Sequence, residues 1–243
     1  MKPLTLDRLL QSQGYGTRKW CQQIIADGEF SVDGAVVTNH RQSVIPDAHH
    51  YTVLGKPMIW RAQVYIALHK PPGYECSRKA SHYPGVHTLL PEEMTWREVQ
   101  PVGRLDHDTT GLLLLSDDGG FIHRQASPKH HVPKVYRATT AQAVDPALLI
   151  ALLAGVKLHD EPGSLAALSC TQVDSHTLDL VLAEGKYHQV KRMLAAAGNH
   201  CAALSRIQIG GLTLASLQLA PGEWCYLETE QLALLVPDPA FHS

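Results

Sequence analysis

The sequence predicts an α+β fold in two parts, a small helix-and-hairpin segment followed by a larger domain with a mainly antiparallel sheet. Three observations support this. Strand-like apolar runs outnumber helix-like ones in the second part. Asp33-Gly34 and Gly210-Gly211 each join two such runs as a two-residue hairpin tip. Gly55 and Pro57 break the pattern over residues 55–62, which read as a linker. The division is therefore 1–58, 63–236 and a loose tail at 237–243, within a 243-residue chain long enough for two cores.

Leu6, Leu9 and Leu10 give a first short helix its apolar face, ended by Gly14-Tyr15-Gly16. Thr17 caps a second helix in which Trp20, Ile24 and Ile25 face inward, and Asp27-Gly28 stops it. Residues 30–37 form the first hairpin. In the larger part, residues 64–68, 112–115, 135–139, 177–182 and 206–214 read as strands, the last of these folding back at Gly210-Gly211. Residues 145–154 and 188–197 read as helices, the second with Val190, Met193, Leu194 and Ala197 on its buried stripe and Gly198 as its stop.

The bulk properties exclude several classes. No apolar run reaches transmembrane length and the N-terminus has no signal-peptide profile, so a cytoplasmic protein without membrane contacts is expected. Five cysteines without regular spacing argue for a reducing compartment. Fifteen histidines, including His49-His50 and His130-His131, lack tight ligand spacing, so no metal is expected. No P-loop or Gly-x-Gly-x-x-Gly is present, and no cofactor is expected. The formal net charge is −2, yet its distribution is uneven. Residues 1–61 carry 7 Lys and Arg against 5 Asp and Glu. In the acidic remainder the cations Arg104, Arg124, Lys129, Lys134, Arg137, Lys186, Lys191, Arg192 and Arg206 gather near the motifs below, consistent with a positive cleft.

Residues 103–119 hold the densest chemistry. Gly103-Arg104-Leu105-Asp106-His107-Asp108 leads into the apolar run 112–115, and Asp118-Gly119 closes it as a turn. If the stretch is extended, Arg104 and Asp106 point to one side and Leu105 to the other. A cation and a carboxylate at the mouth of a core strand are costly to bury without purpose, which marks an active-site strand. In the second helix of the small part, Arg18 and Lys19 occupy the first turn, where the macrodipole disfavours cations. Either a bound phosphate reverses that penalty or the two side chains form a solvated face.

Gly103-Arg104-Leu105-Asp106 with Thr109-Thr110-Gly111 resembles the central motif of RNA pseudouridine synthases, in particular the RsuA family, which acts on ribosomal RNA. Leu68-His69-Lys70-Pro71-Pro72-Gly73-Tyr74 is similar to the first motif of that family, Lys134-Val135-Tyr136 to its Lys-x-Tyr motif, and residues 184–193 to its last. His69 stands where the family commonly has Asn, and Lys186 where Arg is usual. The small part resembles the αL RNA-binding domain through Arg8, Gly16-Thr17-Arg18 and residues 28–34, with Thr17 in place of the usual Ser.

The resemblance implies an enzyme that isomerises uridine to pseudouridine in ribosomal RNA without metal or cofactor. It makes Asp106 the essential carboxylate, with Asp108 in a supporting place, and Lys191 the basic partner that keeps Asp106 ionised. Val190 would be the aliphatic contact to the base, and Tyr136 the ring stacked on it. Arg104 would fill the space vacated in the RNA or hold a phosphate; its alternative is a salt bridge to Asp108 or Asp117. Lys134, His188 and Arg192 would contact substrate, with Arg8, Arg18 and Lys19 on the RNA beyond. Lys70 and Tyr74 would shape the first-motif loop.

Residues 127–131 and 155–161 look most like family members acting on uridine 516 of 16S rRNA; 23S rRNA is the alternative target, and a monomer is expected. Two other classes stay open: a non-catalytic ribosome-assembly factor that kept the fold, and a small-molecule hydrolase using Asp106.

Overall fold

Leu6, Leu9 and Leu10 are completely buried, and they anchor the first of two compact units. In the computed structural model residues 2–77, 79–126 and 132–236 are described. Residues 127–131, with the His130-His131 pair, and the tail 237–243 lie outside them. One unit runs to Val64 and includes Leu90–Val99; the other is Tyr65–Leu89 with the chain from Gln100 onward.

The first unit opens with β1 (Leu4–Thr5), α1 (Leu6–Ser12) and α2 (Arg18–Ala26). As expected, the Thr17 side chain caps α2, accepting from Trp20 N at 3.3 Å. Then follow β2 (Phe30–Val32), β3 (Ala35–Val36), β4 (Ser43–Val44), β5 (Tyr51–Val53) and β6 (Lys56–Met58). β3, β2, β5 and β6 form a four-stranded antiparallel sheet, and β1 pairs with β4. Asp33 and Gly34 both take positive φ, 51° and 81°, as a two-residue hairpin of this kind demands. Phe30 stacks on Tyr51 at 5.8 Å between centroids, and both rings belong to one buried cluster with Ile24, Ile25 and Leu10.

Three expectations need correction here. Trp20 is 56% exposed and Cys21 takes its place in the core, because the buried arc of α2 is centred on residues 21, 24 and 25. Residues 55–62 are not all linker: Leu54-Gly55 is a hairpin tip and Lys56–Met58 pairs with β5, Pro57 being tolerated because β6 is an edge strand. Leu90–Val99, expected in the second part, packs with the first. It contains α3 (Glu92–Trp96), and Arg97 donates to Gln13 Oε1 at 3.0 Å and to the Arg61 carbonyl at 3.1 Å. Gly14 makes room for it, since a Cβ there would strike the Glu93 backbone.

The second unit is built on β7 (Tyr65–Lys70), β8 (Gln100–Pro101), β9 (Thr110–Ser116), β10 (Lys134–Thr140), β11 (Val156–Lys157), β12 (Ser164–Leu165), β13 (Ser169–Gln172), β14 (Thr177–Leu182), β15 (Cys201–Ile209), β16 (Leu212–Thr213) and β17 (Trp224–Tyr226). Nine of these form one sheet whose main path runs β13-β14-β10-β15-β9-β7-β17, with β16 on β15 and β8 on β9. The sheet is mainly antiparallel, as the sequence predicts; β9 and β15 are its parallel pair. Leu112, Leu113, Leu114 and Leu115 are at most 1% exposed, so β9 is buried on both faces. Gly111 is required where β9 meets β15, because a Cβ would run into the Arg206 backbone.

The helices are α4 (Gly119–Ala126), α5 (Pro146–Ala154), α6 (Gln189–Ala196), α7 (Leu214–Leu217) and α8 (Thr229–Ala233). Asp145 caps α5 by accepting from Leu148 N at 2.8 Å. Asp118-Gly119, expected as a turn, opens α4 instead: Asp118 Oδ1 accepts from Gly120 N at 2.8 Å, the role an N-terminal Asp fills. The expected strand at 206–209 extends back to Cys201.

Candidate active site

Asp106 sits in the loop that enters β9, and buried groups hold that loop. Leu105, 6% exposed, turns into the core while Arg104 is exposed and Asp106 half-buried, the alternation expected of an extended stretch. Lys70 at the end of β7 is completely buried. Its ammonium donates to the carbonyls of Pro71 (3.1 Å), His107 (3.1 Å) and Thr109 (2.9 Å). Three donors meet three acceptors, so the cation is satisfied without a counterion, although burial still lowers its pKa. The first and central motifs are thus tied together around Asp106.

The last motif closes on the same carboxylate. His188, in the left-handed region at φ 47°, precedes α6 and brings Nε2 to 3.2 Å from Asp106 Oδ1. Lys191, one turn into α6, stands 3.2 Å from Asp106 Oδ2 and 2.7 Å from Asp108 Oδ1. Burial works to lower the Lys191 pKa, but the bonds to both carboxylates win and raise it. For Asp108 burial pushes upward and the Lys191 hydrogen bond outweighs it, leaving the carboxyl below its ordinary value. A further ion-pair group braces this loop: Lys186 Nζ lies 2.6 Å from Glu161 Oε2, and Arg192 reaches the other oxygen of Glu161 at 3.7 Å.

Asp106 opens into a recess of about 60 Å³ whose walls include Arg104, Thr109, Tyr136, His188 and Val190. Tyr136 is 8% exposed and lies on β10 next to a register shift against β15, between Val135 and Tyr136. Such irregularities re-aim a side chain beside a site. Val190 is buried at 3% exposure and gives the recess an apolar surface. The recess therefore combines a carboxylic acid with a basic partner, an aromatic ring, an aliphatic wall and an exposed guanidinium. That set can bind a flat polar ring and hold a carboxylate against an adjoining sugar.

Of the residues named from sequence, the structure brings together Asp106, Tyr136, Lys191, Arg104, Val190 and His188. Arg104 makes no ion pair among the described residues, so the bridge to Asp108 or Asp117 is not formed. Lys134 and Arg192 do not line the recess. Lys134 donates to the Val132 carbonyl at 2.8 Å, and burial, with Arg206 nearby, brings its pKa down to about 8. Arg192 donates to the Tyr187 carbonyl at 3.1 Å and faces Asp160 and Glu161. Arg8, Arg18 and Lys19 are exposed in the first unit. Arg18 Nε donates to the buried Asp7 at 2.9 Å.

Sequence reasoning missed a role for Thr109, whose buried hydroxyl has no partner among the described residues and which lines the recess. Arg206, expected among the cations of a positive cleft, is instead 3% exposed and donates to the Leu112 carbonyl of β9 at 2.8 Å. The family motif contained Thr109, and charge clustering marked Arg206 without revealing its burial.

Residues 64–196 match the family described as RNA pseudouridylate synthase. The chain is 38% identical over 239 residues to "Ribosomal small subunit pseudouridine synthase A" of Escherichia coli, covering 96% of this chain and 100% of that one. It is 37% identical to "Uncharacterized RNA pseudouridine synthase YtzG" of Bacillus subtilis, with 96% and 98% covered. A solved structure described as "Crystal structure of pseudouridylate synthase" superposes with a TM-score of 0.67 at 32% identity, covering 96% of this chain and 100% of that one. With that match over more than half its length and these relatives over nearly all of it, the chain belongs to the RNA pseudouridylate synthase family, in its RsuA branch.

Proposed function

We propose that this chain converts one uridine of 16S ribosomal RNA, the position equivalent to uridine 516, to pseudouridine, with Asp106 as the essential carboxylate. The observation that supports Asp106 is its seat in the recess between Tyr136 and Val190, with Lys191 and His188 on its two oxygens. The reaction breaks the bond from the sugar's anomeric carbon to N1 and joins the same carbon to C5. N1 gains a proton and C5 loses one, so no electrons enter or leave and the chemistry balances within the nucleotide.

Lys191 sets a cation 3.2 Å from Asp106 Oδ2 inside a partly closed site. Val190 and the face of Tyr136 hold the base flat while it turns, the phenol offering a polar atom at its edge. The exposed Arg104 fills the space the extracted nucleotide leaves or holds a neighbouring phosphate. Arg8 and Lys19, with the α2 start, give the first unit its hold on RNA. Lys134, Arg192 and Arg18 act through the loops and helix they brace. The enzyme works as a monomer in the cytoplasm, where its ribosomal substrate is assembled.

Pseudouridine mapping on unmodified 16S and 23S rRNA, naked and in assembly particles, tests the target. One new site in 16S supports this reading. A site in 23S moves the same chemistry to the large subunit, and RNA binding without any site makes the chain an assembly factor.

A further inference from the structure

A larger cleft adjoins the catalytic recess and shares Arg104, Leu105, Asp106, Lys186 and His188 with it. Its volume is about 870 Å³, toward the upper end of the range that encloses a whole drug-sized ligand. A single uridine whose base lies in the recess leaves most of it free.

Two stacked ring pairs line this space. Tyr187 lies on His188 with centroids 3.9 Å apart and planes 16° from parallel. Tyr83 lies on His107 at 4.4 Å and 9°. The tyrosines are 75% and 43% exposed, so broad aromatic surface is left in water next to an RNA-modifying site. Both pairs are tied to Asp106: His107 is its chain neighbour and His188 holds its Oδ1. The loop presenting Tyr83 is also fixed in place. The Glu75 carboxylate accepts from the backbone N–H groups of Ser81, His82 and Tyr83 at 3.2, 3.1 and 3.1 Å, which folds the loop presenting Tyr83 and occupies the acid. Arg104, which makes no ion pair among the described residues, supplies positive charge along the same cleft.

We propose that the Tyr83–His107 and Tyr187–His188 pairs are stacking platforms for the unpaired nucleobases on the two sides of the target uridine. Extracting a nucleotide breaks its stacks with both neighbours, and each exposed tyrosine replaces one of them. A flat aromatic face accepts any base, so the platforms favour single-stranded RNA over a duplex without choosing sequence. The inference rests on Asp106 marking where the uridine reacts.

The test uses the full chain and a heptaribonucleotide with a central uridine, carrying 2-aminopurine on one side or the other. Stacking quenches 2-aminopurine, and wild type is expected to quench each probe at least about twofold. Tyr187→Ala abolishes quenching on one side and Tyr83→Ala on the other, while Tyr187→Phe and Tyr83→Phe keep it. Each alanine variant raises KM for ribosomal RNA about tenfold, with kcat within about twofold. Unchanged quenching in both alanine variants, or none with wild type, overturns the proposal. Turnover without quenching removes the platforms and leaves the catalytic reading standing; quenching without turnover does the reverse.

Discussion

Lys191 Nζ stands 3.2 Å from Asp106 Oδ2 yet only 2.7 Å from Asp108 Oδ1, so one ammonium is shared between two carboxylates of the central motif. Asp108 takes the shorter bonds and Asp106 the looser one. A loosely held carboxylate can approach a sugar carbon without first losing a full hydrogen bond, which suits the role assigned to Asp106.

Asp108→Asn should therefore lower kcat by less than about tenfold, because Lys191 is left to serve Asp106 alone. The lowered pKa of Asp108 makes its ionic contribution complete above the ordinary carboxylate value of about 4 and lost as pH falls through the folded value. The raised pKa of Lys191 makes its share complete below the ordinary lysine value of about 10 and lost as pH climbs through the higher folded value. Between those limits neither group should shape the pH–rate profile. A bend near neutrality that disappears in Asp108→Asn contradicts this.

Lys70→Met keeps most of the side-chain volume but strands three carbonyls around Asp106. Destabilisation of about 3 kcal/mol is expected, as buried acceptors lose their partner. Urea denaturation measures it; a loss under about 1 kcal/mol means water replaces the ammonium.

Asp7 is the electrostatic hub of the first unit at 1% exposure. Burial works to raise its pKa, but Gln22, Thr5 and Arg18 bind the carboxylate and drive it well below the ordinary value. A depressed folded pKa gives stability that is present above about pH 4 and lost as pH falls through the folded value. The acid limb of the first unit's stability curve should flatten in Asp7→Asn, together with a loss of about 2–4 kcal/mol at pH 7. An unaltered acid limb would place the acid sensitivity elsewhere.

Arg18 serves Asp7, so Arg18→Ala mixes a folding defect with any loss of RNA contact. Arg8 and Lys19 are exposed and form no ion pair among the described residues, which makes Arg8→Ala with Lys19→Ala the cleaner probe. If both touch phosphate, the slope of log affinity against log salt falls by about 1.4. An identical slope removes the first unit from the RNA contact surface.

Much of the site was legible because its chemistry is local in sequence. The buried β9 run, the Thr17 cap, the Asp33-Gly34 tip and the α6 stripe each follow from turn chemistry or periodicity within a few residues. Trp20 was misread because α2 is short, and rotating its buried arc by one position exchanges Trp20 for Cys21 at little cost to the pattern. Lys56–Met58 was hidden by a proline that only an edge strand accepts. The docking of Leu90–Val99 onto the first unit depends on Gly14 and Arg97, contacts remote in sequence that leave no periodic trace. Lys191 was assigned by family likeness, but its sharing with Asp108 needed coordinates. The Tyr83–His107 stack joins two loops and could be seen only in three dimensions.

The most direct measurement is pseudouridine quantification in unmodified 16S rRNA after incubation with wild type and with Asp106→Asn, RNA binding being measured on the same samples. The account predicts one new pseudouridine with wild type, a rate at least about a thousandfold lower with the variant, and binding within about twofold of wild type. Undiminished turnover by Asp106→Asn would contradict the assignment of Asp106.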